Sequence, residues 1–288
     1  MNQAIFRELL PQEYIERFTK ESIREDGRQF EQIRSIKYLR KNEVTLLSMG
    51  QTLVMASTEI KQYEDKQINQ LVTSQKYLIE VEAKLNSGQH GSSDVYSPID
   101  IMKQESYYSQ YIQNIINKNY KGIYAICQIT KEIPNLYWEI KLNLRVVNND
   151  GNLLDALLLA AQFELFNCQV NETVVKTVDG ALQLEIVEAK KKHLQFNIED
   201  FLYPVQCSLF QNEVILIDPS NFEQEYSEAN IQVVSSLNEK IQSINKLGSR
   251  DIKFEALEIV TTKASQITKQ RTEKLYEFIN NHKQEFTL

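Results

Sequence analysis

At 288 residues the chain is long enough for one large domain or two small ones. Its 42% hydrophobic and 25% charged residues fit a globular fold and argue against disorder. Eight glycines, against about twenty at average usage, exclude collagen-like, linker-rich and glycine-cradle phosphate-binding architectures. A formal net charge of −7 disfavours a free-standing nucleic-acid binder, so any RNA contact would draw positive charge from other chains.

In chain order, Pro11 suits the first turn of a helix, where its missing N–H has no partner. Tyr14, Ile15, Phe18 and Ile23 follow at helical spacing, and the run Arg24-Glu25-Asp26-Gly27-Arg28 is expected to end that helix. Strand patterns over 33–39, 44–49 and 53–60 then read as an antiparallel meander. Residues 61–76 and 86–97 are polar and weakly patterned and read as mobile loops, with a strand over 77–85 between them. A helix is expected from 98 to about 117, and 136–147 alternates as a long half-buried strand.

Asp150-Gly151-Asn152 turns the chain, with Asn152 expected to cap an apolar helix over 153–166 at the centre of the fold. Strand patterns recur at 174–178, 182–187, 194–198, 205–210, 214–217 and 231–234, and helical spacing runs from Leu257 towards the C-terminus. Strands with helices packed against them make the fold class α+β.

The three cysteines, Cys127, Cys168 and Cys207, are widely spaced and form no C-x-x-C, which implies buried thiols in a reducing compartment. The N-terminus does not read as a secretory signal. The longest apolar run, 153–166, falls short of the roughly 20 residues that a membrane span needs. The expectation is a soluble, intracellular chain with no membrane partner. No phosphate-loop, dinucleotide or nucleophile-elbow motif occurs, and His90, His193 and His282 lack metal-ligand spacing, so neither a metal nor a cofactor is expected. Lys190-Lys191-Lys192 reads as a hairpin edge guarded against stray strand pairing. Asp150 and Asp155 read as acids at a helix start, and Asp26 as a local ion pair fixing its turn.

Four ordered landmarks carry a family resemblance. Glu13-Tyr14-Ile15-Glu16-Arg17-Phe18 precedes Arg24-Glu25-Asp26-Gly27-Arg28; Gly50-Gln51-Thr52 precedes a strand; Asp150-Gly151-Asn152-Leu153-Leu154-Asp155-Ala156 opens the apolar helix; and Leu216-Ile217-Asp218-Pro219 ends a later strand. Over about residues 10–283 these resemble the RNase PH family, in particular the non-catalytic ring subunits of the RNA exosome. The resemblance implies an RNase PH-like fold (ribosomal protein S5 domain 2-like). It is one domain over 1–288 with two related βα halves, about 10–150 and 151–288, whose sheets pack on helices. The single glycine of Lys246-Leu247-Gly248-Ser249 departs from the richer family pattern.

Active relatives phosphorolyse RNA from its 3′ end, which needs a fork of cations for phosphate and acids for a metal or a proton. By resemblance Leu153 and Leu154 stand where a Thr- or Ser-Arg pair would hold phosphate, and Ser220 and Gln224 stand where carboxylates would follow Asp218; Glu223 remains. The helix near 101–121 contains no arginine, and Arg145 is the only one between Arg40 and Arg250. No catalytic residue is therefore assigned, and the chain is expected not to be an enzyme. Arg34, Lys37, Arg40 and Lys41 are the candidate RNA-binding residues. The resemblance implies a six-membered hetero-oligomeric ring of RNase PH-like subunits, RNA-binding cap subunits, RNA in the channel and a separate hydrolytic nuclease. It also implies residence in nucleus, nucleolus and cytoplasm. The competing readings are a phosphorolytic exoribonuclease with an atypical or shared site, and a degenerate family member serving another RNA machine.

Overall fold

The computed structural model describes residues 3–65, 77–86, 98–178, 181–210, 214–248, 251–281 and 285–287. Helix α1 (Gln3–Leu9) leads into α2 (Pro11–Lys20), which Pro11 opens as expected. It ends at Lys20 rather than near Gly27, because Ser22 turns left-handed at φ +56°. Ile23 is consequently exposed instead of joining Tyr14 and Ile15 in the interior.

Strands β1 (Ile36–Lys41), β2 (Val44–Met49) and β3 (Thr52–Glu64) form the antiparallel meander. β3 runs on beside β5 (Leu136–Asn148) as far as Glu64, opposite Leu136, so residues 61–64 are strand and not mobile loop. The rest of both expected loops, 66–76 and 87–97, lies outside the described residues. β4 (Ile79–Lys84) adds to the far side of β5 in parallel, and β12 (Glu285–Thr287) adds to β1. The six-stranded sheet is ordered β12-β1-β2-β3-β5-β4.

The outer edge of β4 is closed by helix α3 (Pro98–Asn119). Leu85, Ala83 and Val81 donate their N–H groups to Glu105, Ser109 and Gln113 at 2.9, 2.9 and 3.0 Å, and Asn117 donates to the Ile79 carbonyl at 2.8 Å. Four helical residues and two strand residues each rise about 6–7 Å, so one row of helix side chains matches successive groups along the strand. That row removes an edge on which another chain could pair.

After α4 (Ile123–Cys127) and β5 comes α5 (Leu153–Phe166), buried at every residue and packed on β2, β3, β5 and a second sheet. That sheet comprises β8 (Leu202–Leu209), β9 (Ile215–Ile217), β10 (Ala229–Ser236) and β11 (Ile241–Leu247), ordered β11-β10-β8-β9. Between α5 and β8 stands a hairpin of β6 (Gln169–Val178) and β7 (Ala181–His193), which carries Lys190 to Lys192. The expected strand at 194–198 is absent. Asn197 instead caps a 3₁₀ turn, Ile198–Asp200, by accepting from the Glu199 N–H. A short helix α6 (Asn221–Glu225) follows β9, and α7 (Phe254–Asn281) packs on β8 and β10. Phe278 of α7 meets Tyr38 of β1 and Phe163 of α5 edge-on, at ring-centre distances of 4.7 and 4.9 Å. Gln162 extends the ladder inwards: its amide exchanges two hydrogen bonds of 2.7 Å with the Leu202 backbone.

Candidate functional site

The landmark loops meet at the end of β9. Asp218 sits there at φ +51°, a conformation Asp adopts more readily than most residues. Its buried carboxylate is the convergence point. Oδ2 accepts from the Arg34 backbone N–H (2.8 Å), Arg34 Nε (2.9 Å) and Arg28 Nη1 (2.9 Å). Oδ1 accepts from Arg34 Nη2 (2.8 Å) and Asn152 Nδ2 (2.9 Å). Burial alone would raise the Asp218 pKa, but the hydrogen bonds and charges of Arg34 and Arg28 hold it below the ordinary carboxylate value.

Most of the other guanidinium nitrogens are similarly engaged. Arg24, almost fully buried, grips both oxygens of Glu223, with Nε at 2.9 Å, and donates to the carbonyls of Ile217 (2.7 Å) and Asp218 (2.9 Å). Arg28 Nε donates to Asp26 at 2.6 Å while Asp26 also accepts the Arg28 N–H, the local ion pair the sequence suggested. Burial would raise the Asp26 pKa; those Arg28 bonds bring it below its ordinary value instead. Arg34 Nη1 donates to the Asp150 carbonyl at 2.8 Å. Nη2 of Arg28 is buried without a partner, as is Oδ1 of Asn152.

Two small residues set this geometry. Gly151, at φ +84°, lies so close to α6 that a Cβ would come within 2.3 Å of the Ser220 carbonyl carbon. Thr52 donates to the Gly151 carbonyl at 2.7 Å and accepts from the Asp150 N–H at 3.0 Å. Asn152 does not cap α5: at φ +53° its side chain turns to Asp218, and its N–H donates to Gln224 Oε1 at 2.9 Å. Ser220 caps α6 in a reciprocal box with Glu223. Of the positions read as lost, Ser220 and Gln224 therefore tie loops together, while Leu153 and Leu154 are buried and apolar. The cavity beside Asn152, Asp155, Gln206 and Asp218 measures about 10 Å³, room for one water and not for a phosphate.

The four candidate RNA-binding residues do not form one patch. Arg34 is held by Asp218, and Arg40 donates at 2.8 Å to Glu164, whose carboxyl also accepts from Thr45 and Thr58. Lys37 and Lys41 alone of the four are exposed. Asp155 lies in the first turn of α5, as read from the sequence, and its carboxylate turns to the second sheet. It accepts from the Gln206 N–H (2.8 Å) and Gln232 Nε2 (2.6 Å) of the second sheet. Burial pushes both Asp155 and Glu164 up to about 7, against the opposing pull of these hydrogen bonds and of Arg40. All three cysteines are buried, and their burial raises each thiol pKa. Among the described residues no cluster of three His, Cys, Asp or Glu could hold a metal, and no helix is long and apolar enough to cross a membrane. His90 and His282 lie outside the described residues.

No protein-family model matches the chain. Among curated proteins, exosome complex component Rrp42 of Methanosarcina mazei is 25% identical over 151 residues, 51% of this chain. The chain thus spans about half (51%) of that relative's length. Rrp42 of Methanosarcina acetivorans is 21% identical over 272 residues, covering 90% of this chain and 92% of the relative. Among solved structures, a chain of an archaeal exosome core superposes with a TM-score of 0.69 at 18% identity, over 96% of this chain and 100% of its own. A chain of the Archaeoglobus fulgidus exosome with RNA bound to the active site gives 0.68 at 18% identity, over 91% and 96%. Rice Rrp46 gives 0.54 at 16% identity, over 90% and 99%.

The fold is therefore RNase PH-like, in the α+β class read from the sequence. With the curated matches added, the chain is an RNase PH-like protein related to the exosome ring subunits.

Proposed function

We propose that this chain is a non-catalytic subunit of an RNase PH-like exosome ring, shaping the RNA channel and holding its neighbours while a separate nuclease hydrolyses the RNA. The observation that supports the reading is the apolar burial of Leu153 and Leu154, the positions where the resemblance puts a phosphate-holding Thr- or Ser-Arg pair. Nearby, Asp218 and Glu223 already hold the guanidinium groups of Arg24, Arg28 and Arg34. Phosphorolysis needs cations open to an incoming anion, and buried leucines supply none. Its partners would be other RNase PH-like chains in a six-membered ring, RNA-binding cap subunits above it and RNA in the channel. Its residence would be nucleus, nucleolus and cytoplasm. The E-Y-x-x-R-F opening and the D-G-N run further suggest the ring position of ribosomal RNA-processing protein 43.

Affinity purification of the tagged full chain tests the assembly, with RNase PH-like chains expected as stoichiometric partners; their absence defeats the ring reading. Purified protein, alone and with those partners, should release no nucleoside diphosphate from a 3′ RNA tail in the presence of inorganic phosphate. Release that disappears on Asp150→Asn in this chain would favour the phosphorolytic alternative, because Asp150, like Asp26, is a partly exposed acid of the site.

A further inference from the structure

Arg145, which the sequence isolates from every other arginine, is also isolated in space. Arg7, Arg17, Arg24, Arg28, Arg34 and Arg40 each have a carboxylate or an aromatic ring as partner; exposed Arg145, like half-buried Arg271 of α7, has none among the described residues. It points from β5 to the solvent side of the six-stranded sheet, opposite the face that packs on α5. Its two in-register neighbours are Met55 on β3 and Lys84 on β4. A like charge directly opposite on the next strand is unfavourable, so this position gains nothing from the isolated fold.

Arg145 stands in a groove of about 460 Å³ whose wall and floor include Met55, Leu144, Glu59, Glu82, Lys84 and Lys141. Glu82 is paired with Lys141 at 2.5 Å, whereas Glu59 accepts from the neutral Asn143 amide at 2.8 Å and keeps its charge. Lys84 leans to Glu82 and Glu105 at 3.4 and 3.5 Å. The groove's unmatched cation is thus one guanidinium, set beside an apolar row that continues from Met55 through Leu46 to Leu39. No aromatic face lines the groove for a base to stack on, and two carboxylates flank the path that a phosphate backbone would take.

We propose that this groove docks a segment of a neighbouring RNase PH-like subunit that brings a carboxylate to Arg145 and an apolar side chain to Met55. The proposal rests on the ring reading above and names one surface of this chain that the ring would use. Charge complementarity selects the occupant: a protein segment can bring a single carboxylate to Arg145 clear of Glu59 and an apolar side chain to Met55, whereas the regularly spaced phosphates of RNA would also meet Glu59 and Glu82.

The test uses the full chain in its purified assembly. Lysine acetylation read by mass spectrometry compares the isolated wild-type chain with the assembly, and Lys84 and Lys141 are expected to lose reactivity on assembly. R145E, checked for an unchanged melting curve, is expected to weaken assembly by about 10-fold or more, while R145K keeps most of it. Undiminished Lys84 and Lys141 reactivity in an intact ring, or an R145E chain that assembles like wild type, would overturn the proposal and leave the ring reading standing. An intact R145E ring that crosslinks less RNA at 141–145 would also overturn it, in favour of a nucleic-acid surface. A wild-type chain that purifies without RNase PH-like partners would instead overturn the ring reading itself.

Discussion

Asp218→Asn removes one charge from the centre of the loop junction with little change of shape, and Asn tolerates the same φ of +51°. The carboxylate receives three N–H groups on Oδ2 and two on Oδ1. An amide has one acceptor oxygen, which would serve the Oδ2 side and turn an NH₂ towards Arg34 Nη2 and Asn152 Nδ2. Removing one partner of a buried ion pair costs about 3–5 kcal/mol. The lower end applies here because Arg28 keeps Asp26 and Arg34 keeps Asp150. The expected loss is therefore about 3 kcal/mol. Urea unfolding followed by Trp138, the single, buried tryptophan, and by far-UV circular dichroism measures it. The sign with pH is fixed by the lowered folded-state pKa. The charge contributes fully above the ordinary value of 3.8, and its contribution is lost as pH falls through the folded pKa. The wild-type advantage should be flat near neutrality and shrink in acid below that value. A variant within about 1 kcal/mol of wild type at neutral pH would refute the claim that this carboxylate balances the arginines.

Gly151→Ala should fail to reach wild-type stability by more than about 3 kcal/mol, since both φ +84° and the 2.3 Å approach to Ser220 forbid a Cβ; thermal melting of the full chain checks it. Asp155 and Glu164 titrate higher folded than unfolded, so their contribution is complete below about pH 4 and is lost as pH rises to about 7. Wild-type stability should accordingly decline relative to Asp155→Asn or Glu164→Gln across that window, by at most about 1.4 kcal/mol per pH unit per group, and level off above it; a flat difference would contradict the raised values. Arg40→Met removes the cation beside Glu164, whose carboxyl then protonates near neutral pH, so the loss should be that of one charge-assisted hydrogen bond, about 1.5–3 kcal/mol, whereas Lys37→Glu and Lys41→Glu should stay within about 0.5 kcal/mol in the same denaturant assay.

The landmark loops could be read from the sequence because turn chemistry is local. Gly27, Gly50 and Gly151 all adopt positive φ where short motifs required it. Long amphipathic or alternating runs were equally legible, and α3, β5, α5 and α7 lie close to their expected positions. β11 escaped because Ile241-Gln-Ser-Ile-Asn-Lys-Leu is an edge strand with no buried face, and so has no hydrophobic alternation to show. Arg34 and Arg40 sit among basic neighbours in the sequence, a local pattern that suggests a basic surface, whereas the fold pairs both with carboxylates. Their carboxylate partners lie 184 and 124 residues away, beyond what local pattern can report. One signal is legible locally: Ser220-x-x-Glu223 is a capping box, which marks Ser220 as the start of α6. Another lay in α5, whose few polar residues in an apolar helix each have a specific partner.

Those polar residues explain how one buried helix keeps its place between two sheets. Apolar contacts around α5 are non-directional, and a helix apolar on all sides could rotate or slide with little change in buried area. Asp155 fixes its first turn to β8 and β10 through Gln206 and Gln232; Gln162 fixes its middle to Leu202; Glu164 fixes its last turn to β1, β2 and β3. Each attachment satisfies a buried group that would otherwise destabilise the fold, so a one-residue slip would orphan all three at once. The same helix begins at the Gly151 turn, which Arg34 and Thr52 hold against Asp218 and α6. Position along α5 and the closure of the arginine cluster are therefore one structural decision. Opening the cluster to an external anion would need the first turn of α5 to move, against the hydrogen bonds that index the whole helix.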